Sequence, residues 1–204
     1  MTRYNPQIKI PMKILVSFLL YFSFVFATCY VSAQQHWYLS VEPGINIATT
    51  KLGNAKPDAG FGLEGSVNYR FLKHVYVYGG WSWNKFYADK SFAGNDVDFE
   101  ESGYTLGLKY LHPIKKSSIN YVIEGGGIFS HLEVENNKNE QVADSRFELG
   151  CEAGAGLAIA LDERFYLLAG FRYHWLKNKI VVAETTTPVN FSYFTINTGV
   201  SWSF

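Results

Sequence analysis

The chain has 204 residues, with 18 basic and 18 acidic side chains and a formal net charge of +0. With charge so balanced we expect no nucleic-acid partner, and the length fits one domain. Aromatic residues make up 17% of the chain, with 18 glycines and 6 prolines. This composition favours many short β-strands over a soluble α/β domain.

The first 33 residues differ from the rest of the chain. An uncharged apolar run at 14–27 follows three basic residues, and Val31-Ser32-Ala33 has the small-x-small form of a signal-peptidase site. We therefore predict a secretory signal peptide over 1–33 and a mature domain over 34–204. An uncleaved membrane anchor remains the alternative. Whether translation starts at Met1 or at Met12 stays open.

Eight stretches of the mature region alternate between apolar and polar residues, the pattern of strands with one apolar and one polar face. The predicted strands are 36–48, 59–70, 75–86, 102–110, 120–130, 146–159, 164–175 and 191–204. In strand three we predict that the odd-numbered residues, such as Trp81 and Trp83, face outward. Tyr76 and Tyr78 make the opposite phase conceivable.

The connections between these strands alternate in length. Long polar loops are predicted at 49–58, 87–101, 131–145 and 176–190, and shorter turns at 72–74, 111–119 and 160–163. Aromatic residues lie near both ends of the strands. Long loops on one side, short turns on the other and two aromatic girdles are typical of transmembrane β-barrels.

The last strand alternates strictly and ends on Phe204. On these patterns the chain resembles small bacterial outer-membrane β-barrels of the OmpA/OmpX type, which are porin-like outer-membrane proteins. The resemblance implies an all-β fold, an eight-stranded antiparallel up-and-down transmembrane β-barrel, in the bacterial outer membrane with both termini periplasmic. It also implies that the barrel-assembly machinery reads Trp202 and Phe204 as an assembly signal. A soluble two-layer sandwich is the alternative.

The inward faces of the predicted strands carry five acids and five bases. Eight strands leave room only for side chains, so we expect these charges to pair and plug the lumen. The alternative for the bases at the strand ends, Arg70, Arg146 and Arg164, is that they are solvated at the barrel mouths. The predicted ion-pair network comprises Glu42, Glu64, Lys109, Glu124, Glu148, Glu152 and Arg172. The turn at 160–163 is expected to place Glu152 opposite or diagonal to Arg172. Separately, we expect Lys109 and Glu124 to form a second pair.

No metal cluster, nucleotide-binding loop or redox motif is evident, so we expect no cofactor. The second long loop is rich in acids that could hold a divalent cation bridging lipopolysaccharide. Such a run of acids is more often simply solvated. The residues are Asp89, Asp96, Asp98, Glu100 and Glu101. A lipid-modifying enzyme would need a Ser/His pair near the outer leaflet. Ser130, His131 and His174 lie at about that depth, but adjacent residues on a strand point to opposite faces.

We interpret the chain as a non-enzymatic outer-membrane barrel with a structural or surface-interaction role. Its expected partners are outer-membrane lipid, lipopolysaccharide and an unknown extracellular ligand bound by the long loops. The alternatives are passage of small hydrophobic molecules, as in OmpW-like proteins, and, third, the lipid-modifying enzyme.

Overall fold

The computed structural model describes residues 36–51, 56–91, 94–136, 138, 140–182 and 185–204. The predicted signal peptide and its cleavage site lie outside this range. Within the described residues there is no helix long and apolar enough to cross a bilayer.

Nine β-strands make up the described fold. They are β1 Trp37–Ala48, β2 Gly60–Leu72, β3 Val75–Ser91, β4 Gly94–Pro113, β5 Ile119–Glu135, β6 Gln141–Ser145, β7 Glu148–Ala160, β8 Phe165–Val182 and β9 Thr185–Ser203. Neighbouring strands pair antiparallel, and β1 also pairs with β9, so the sheet closes on itself. Both β6 and β7 lie between β5 and β8. They are two parts of one wall strand, which confirms the eight-stranded antiparallel up-and-down barrel.

Side chains alternate across the wall as the sequence predicts. On β1, Trp37, Leu39 and Val41 are exposed on the outside, whereas Ser40 and Glu42 are buried inside. On β3 the odd-numbered residues face outward, which confirms the chosen phase and places Tyr76 and Tyr78 in the lumen.

The predicted long loops at 87–101, 131–145 and 176–190 are wrong for most of their length. β3 continues to Ser91, and β4 begins at Gly94. In the same way β5 continues to Glu135, β8 to Val182, and β9 begins at Thr185. We call the end of the barrel that carries these extended hairpins the hairpin end. The other end, which carries the turns at 73–74, 114–118 and 161–164 and the chain terminus Phe204, is the turn end.

The two faces of the wall exchange polarity toward the hairpin end. In the band that ends at Trp83, Tyr104 and Phe129 the outward residues are apolar, as a bilayer requires. Beyond it, strands turn charged residues outward and apolar residues inward. The buried apolar cluster consists of Phe86, Ala88, Val97, Phe99, Ile128, Leu132, Val134, Ala143, Leu176, Phe191 and Tyr193. The hairpin end therefore has an apolar interior and a polar exterior, as a soluble barrel does, and it projects beyond the lipid-facing band.

A one-residue bulge separates β6 from β7. Glu133 on β5 pairs with Asp144, whereas Ser130 pairs with Glu148, so three residues on the bulged strand face two on β5. Ser145 Oγ accepts the backbone N–H of Leu132 at 2.8 Å, which satisfies a donor at the bulge. The bulge reverses the phase of the strand, so even-numbered residues face outward on β6 and inward on β7.

The β7–β8 turn lies at 161–164, one position later than the predicted turn at 160–163. Ala160 pairs with Tyr166, and Asp162 Oδ1 accepts the backbone N–H groups of Arg164 and Phe165 at 2.7 and 2.8 Å. These two hydrogen bonds lower the pKa of Asp162. Because of this displacement, the β7–β8 register matches neither of the two registers considered from the sequence.

Candidate functional site

Arg172 lies at the centre of the charged interior. It comes from β8, its side chain is 3% exposed, and its guanidinium reaches carboxylates on several other strands. Its Nη1 donates to Glu64 Oε2, and its Nε and Nη2 donate to Glu124 Oε1 at 2.8 and 2.6 Å. Oxygens of Glu42 and Glu152 lie 4.0 Å from guanidinium nitrogens. One side chain thus ties β8 to β1, β2, β5 and β7 across the lumen.

The acids around Arg172 include a directly opposed pair. Glu42 on β1 and Glu64 on β2 are ladder partners, and both side chains are buried. Like charges in this position repel, and Arg172 offsets the repulsion because its guanidinium approaches both. Asn197 on β9 also donates a hydrogen bond to Glu42 Oε2.

Lys109 and Glu124 form a second contact of the network. They are ladder partners on β4 and β5, and Lys109 Nζ is 3.1 Å from Glu124 Oε2. Because Glu124 also accepts from Arg172, the Lys109 pair and the Arg172 cluster are one connected network. Glu148, by contrast, lies opposite Ser130 and makes no ion pair among the described residues.

Glu152 does not lie opposite Arg172. The displaced turn pairs Glu152 with His174 and Arg172 with Gly154, so Glu152 and Arg172 are diagonal neighbours. Glu152 Oε1 accepts a 2.5 Å hydrogen bond from Tyr78, and Glu152 Oε2 lies 3.7 Å from His174 Nδ1.

Tyr78 is the functional side chain that sequence reasoning missed. Its ring is fully buried in the lumen, and Lys109 Nζ lies 5.4 Å from the ring centroid. A Cβ at Gly126 would come within 2.7 Å of the Tyr78 hydroxyl oxygen, and one at Gly107 within 2.6 Å. The two facing glycines make room for the ring, and this pairing of a lumen aromatic with glycines was the available signal.

The lumen charges are not balanced as the sequence suggested. The buried acids are Glu42, Glu64, Glu101, Glu124 and Glu152, whereas the buried bases are Lys109 and Arg172. The other three predicted bases lie toward water: Arg164 in the β7–β8 turn and Arg146 at the bulge are exposed, and Arg70 is half-buried at the turn end. The described interior therefore carries an excess of carboxylates.

The lumen differs at its two ends. At the hairpin end, Glu101 accepts hydrogen bonds from Asn84 at 2.7 Å and from Tyr193 at 3.1 Å, directly below the buried apolar cluster. At the turn end, the lumen holds a cavity of about 60 Å³ lined by Tyr38, Tyr76 and other side chains. The interior thus opens at the turn end and is filled at the hairpin end.

One part of the wall lacks ladder pairing. β6 pairs with β8 through Asp144 and Ser145, and β7 pairs with β8 only from Cys151 onward. In the part of the chain that the structure describes, no ladder pair joins 146–150 to 176–179. Leu176, at the start of the unpaired β8 segment, is a member of the buried apolar cluster.

The acids of the second predicted loop, which the sequence favoured as a solvated run over a cation site, are dispersed. Glu101 points into the lumen, and Lys85 Nζ contacts Asp98 at 2.9 Å and Glu100 at 2.7 Å. Partial burial lowers the pKa of Lys85, but its hydrogen bonds to the two carboxylates outweigh this effect and raise the pKa. Asp98 and Glu100 thus lie on the outer surface of a β-strand, where they form salt bridges with Lys85.

The residues considered for acyl transfer are also separated. Ser130 is buried inside the wall, whereas His131 lies on its outer face with its Nε2 2.9 Å from Glu133. His174 stacks on Tyr193 with centroids 4.4 Å apart, and its Nε2 lies 3.3 Å from Thr195 Oγ1. Neither histidine forms a described hydrogen bond with Ser130.

Trp202 and Phe204 lie on the outer face of the last strand at the turn end. Their ring centroids are 5.2 Å apart, and both rings are exposed outside the wall. Trp202 pairs with Leu39 on β1 and with Phe165 on β8, and the backbone N–H of Phe204 donates to Trp37 O at 3.0 Å. These contacts lie at the β1–β9 seam that closes the barrel.

Residues 17–204 match the family profile described as "Outer membrane protein beta-barrel domain". Neisserial surface protein A superposes with a TM-score of 0.62 at 18% identity, covering 82% of this chain and 97% of that one. OprG from Pseudomonas aeruginosa gives 0.58 at 12% identity, covering 85% and 99%. Outer membrane protein W of E. coli gives 0.53 at 11% identity, covering 85% and 100%. At these identities the likeness shows the fold alone. Curated protein sequences give no match.

Proposed function

Because this chain belongs to the outer-membrane β-barrel family, we propose that it is a closed, non-enzymatic barrel that presents its hairpin end at the bacterial surface. In this arrangement the turn end and both termini face the periplasm. Lipid and lipopolysaccharide surround the apolar band, and the barrel-assembly machinery reads Trp202 and Phe204. The projecting hairpins contact an extracellular ligand.

The observation that carries the proposal is the double filling of the lumen. The network centred on Arg172 crosses the middle of the barrel, and the apolar cluster fills the hairpin end with side chains that are at most 5% exposed. An eight-stranded barrel has an interior just wide enough for side chains. Both layers would have to move before ions could pass, so the lumen is plugged.

Planar-bilayer recording tests the plug. Wild-type protein should give no steady conductance. Arg172→Ala alone should also stay silent, because the apolar cluster remains in place. A variant that combines Arg172→Ala with Phe86→Ala and Phe191→Ala should conduct. A large, steady conductance of the wild type would make the protein a porin and contradict the proposal.

Cysteine labelling tests the orientation separately. In a Cys151→Ala background, Asp89→Cys at the hairpin end should react with a membrane-impermeant maleimide on intact cells. Lys115→Cys at the turn end should react only after the outer membrane is permeabilised. The reverse pattern would place the hairpin end in the periplasm.

The break in the β6/β7–β8 wall supports a second candidate, sideways passage of small hydrophobic molecules into the bilayer. The break lies where the lipid-facing band ends, and apolar residues of the lumen lie behind it. Leu149→Cys and Lys177→Cys stand at facing positions if the β7–β8 register is continued. Oxidation of this double variant should stop transfer of an apolar dye into proteoliposomes, and reduction should restore it. Wild-type transfer no faster than in protein-free liposomes would exclude this candidate.

A further inference from the structure

A cluster of metal-binding side chains lies on the outside of the wall at the hairpin end, separate from the lumen network. His131 and Glu133 on β5 and Asp144 on β6 each offer one ligand atom. These three atoms lie within 4.8 Å of one another. The His131–Glu133 contact, at 2.9 Å, is the shortest described contact among them.

Two features of the wall bring the three side chains together. His131 and Glu133 are two residues apart on β5 and therefore share its outward face. Asp144 is the direct ladder partner of Glu133. Without the one-residue bulge, the even-numbered Asp144 would share the inward face of Glu148 and Glu152. The bulge turns Asp144 outward and so creates the cluster.

The cluster is electrostatically incomplete. Glu133 and Asp144 are carboxylates in directly opposed positions, an arrangement that destabilises a strand pair. Lys85, on β3, contacts Asp98, Glu100 and Glu135 instead. Among the described residues His131 is the only ion-pair partner of Glu133, and Asp144 has none. A cation between the two carboxylates would remove their repulsion.

We propose that His131, Glu133 and Asp144 form a binding site for one divalent transition-metal ion. An imidazole with two carboxylates suits Zn²⁺ and similar ions, whereas Mg²⁺ and Ca²⁺ prefer oxygen ligands alone. Three protein ligands leave a fourth position for water. The bound ion joins β5 to β6 beside the break in the wall.

We expect rotation of the three side chains to bring their ligand atoms to coordination distance. Zn²⁺ ligands at about 2.0–2.2 Å from the metal lie roughly 3.4 Å apart, so separations of up to 4.8 Å have to shrink by at most about 1.4 Å. The Glu133 side chain is 36% exposed, and its Oε1 already lies 2.9 Å from His131 Nε2. Phe147 packs on the His131 ring at 4.5 Å and holds the imidazole against the wall.

Calorimetric titration of the purified barrel in lipid nanodiscs with Zn²⁺ and, separately, with Mg²⁺ tests the site. We expect one Zn²⁺ per barrel and binding of Mg²⁺ at least tenfold weaker. Asp144→Asn and Glu133→Gln should each weaken Zn²⁺ binding at least tenfold. Both positions lie outside the lumen on the outer face of the wall, and the shift in gel mobility on heating verifies that each variant is folded.

A matched control uses a pair of histidines at the opposite end of the barrel. His74 and His112 lie at the turn end with ring centroids 4.5 Å apart. Because they are remote from the proposed site, His112→Asn should leave Zn²⁺ binding unchanged. X-ray absorption of the zinc complex should find one imidazole and oxygen ligands. The proposal is overturned if His112→Asn abolishes binding, if Asp144→Asn binds like wild type, or if Zn²⁺ binds no more tightly than Mg²⁺.

Discussion

Replacing Arg172 by alanine is the most informative perturbation of the lumen. The substitution removes the guanidinium that donates to Glu64 and Glu124 and lies 4.0 Å from Glu42 and Glu152. Four buried carboxylates would then share Lys109 as their one buried cation in the described interior. We predict that Arg172→Ala strongly destabilises the barrel.

The size of the effect follows from burial and distance. One pair of unit charges 4 Å apart contributes about 4 kcal/mol at an effective dielectric constant of 20. Removing one partner of a buried pair costs about 3–5 kcal/mol. Water in the cavity at the turn end reduces the penalty for the carboxylates nearest to it. We therefore expect a loss of about 3 kcal/mol in the free energy of unfolding.

Reversible urea unfolding in lipid bilayers, followed by tryptophan fluorescence, measures the loss. Adding Glu64→Gln to Arg172→Ala should recover part of it, because one uncompensated charge is removed. Arg70→Ala is the matched control, because Arg70 is only half-buried and lies at the turn end. This variant should stay within about 0.5 kcal/mol of wild type. The reasoning fails if Arg172→Ala is as stable as this control.

Three further predictions concern other parts of the chain. Gly126→Ala places a Cβ 2.7 Å from the Tyr78 hydroxyl and 2.5 Å from a backbone oxygen. In the same urea assay it should destabilise the barrel by about 1–3 kcal/mol. Gly65→Ala, the control, has open space around its Cβ and should be neutral. Deleting Phe204 should lower the folded barrel in cells while the purified variant still folds in detergent; equal loss in both would mean that the residue acts through stability alone. Intact-mass measurement should find a mature N-terminus at Gln34, and retention of the apolar segment would contradict signal cleavage.

The barrel itself could be predicted because lipid imposes one simple rule on each strand. An apolar residue at every second position marks the outward face, and this rule holds over the band from Trp37 to Val41 on β1. Beyond the lipid the rule reverses. Phe86 and Phe99 then point inward beside outward charged residues, and the sequence there reads as a polar loop. The extended hairpins were missed for this reason.

Registers and partners within the lumen were less accessible than the fold. The Lys109–Glu124 contact was foreseen because a single strand pair contains both residues. The place of Arg172 depends on the position of the β7–β8 turn, where Asp162 accepts two backbone N–H groups. The bulge beside Ser145 reverses the face of Asp144. A displaced turn leaves no mark on composition or periodicity, and β6 is too short for its reversed phase to be recognised from the sequence.

The reversed polarity implies that the hairpin end is a small folding unit with its own apolar core. Phe191 is fully buried there and packs on Phe86 and Tyr193 at ring distances of 5.0 and 5.4 Å. Because water surrounds this part, burying the ring is favourable in the ordinary way, and Phe191→Ala should cost about 3–5 kcal/mol. The lipid-facing band does not depend on this ring, so the loss should appear as local opening.

Hydrogen exchange in nanodiscs distinguishes local opening from global unfolding. Phe191→Ala should speed amide exchange over residues 185–193 of β9 and leave residues 194–203 protected as in wild type. Phe171→Ala, whose ring is 53% exposed on the lipid-facing side, should leave exchange at the hairpin end unchanged. If Phe191→Ala left both segments of β9 equally protected, the apolar cluster would not be what holds the projecting hairpins together.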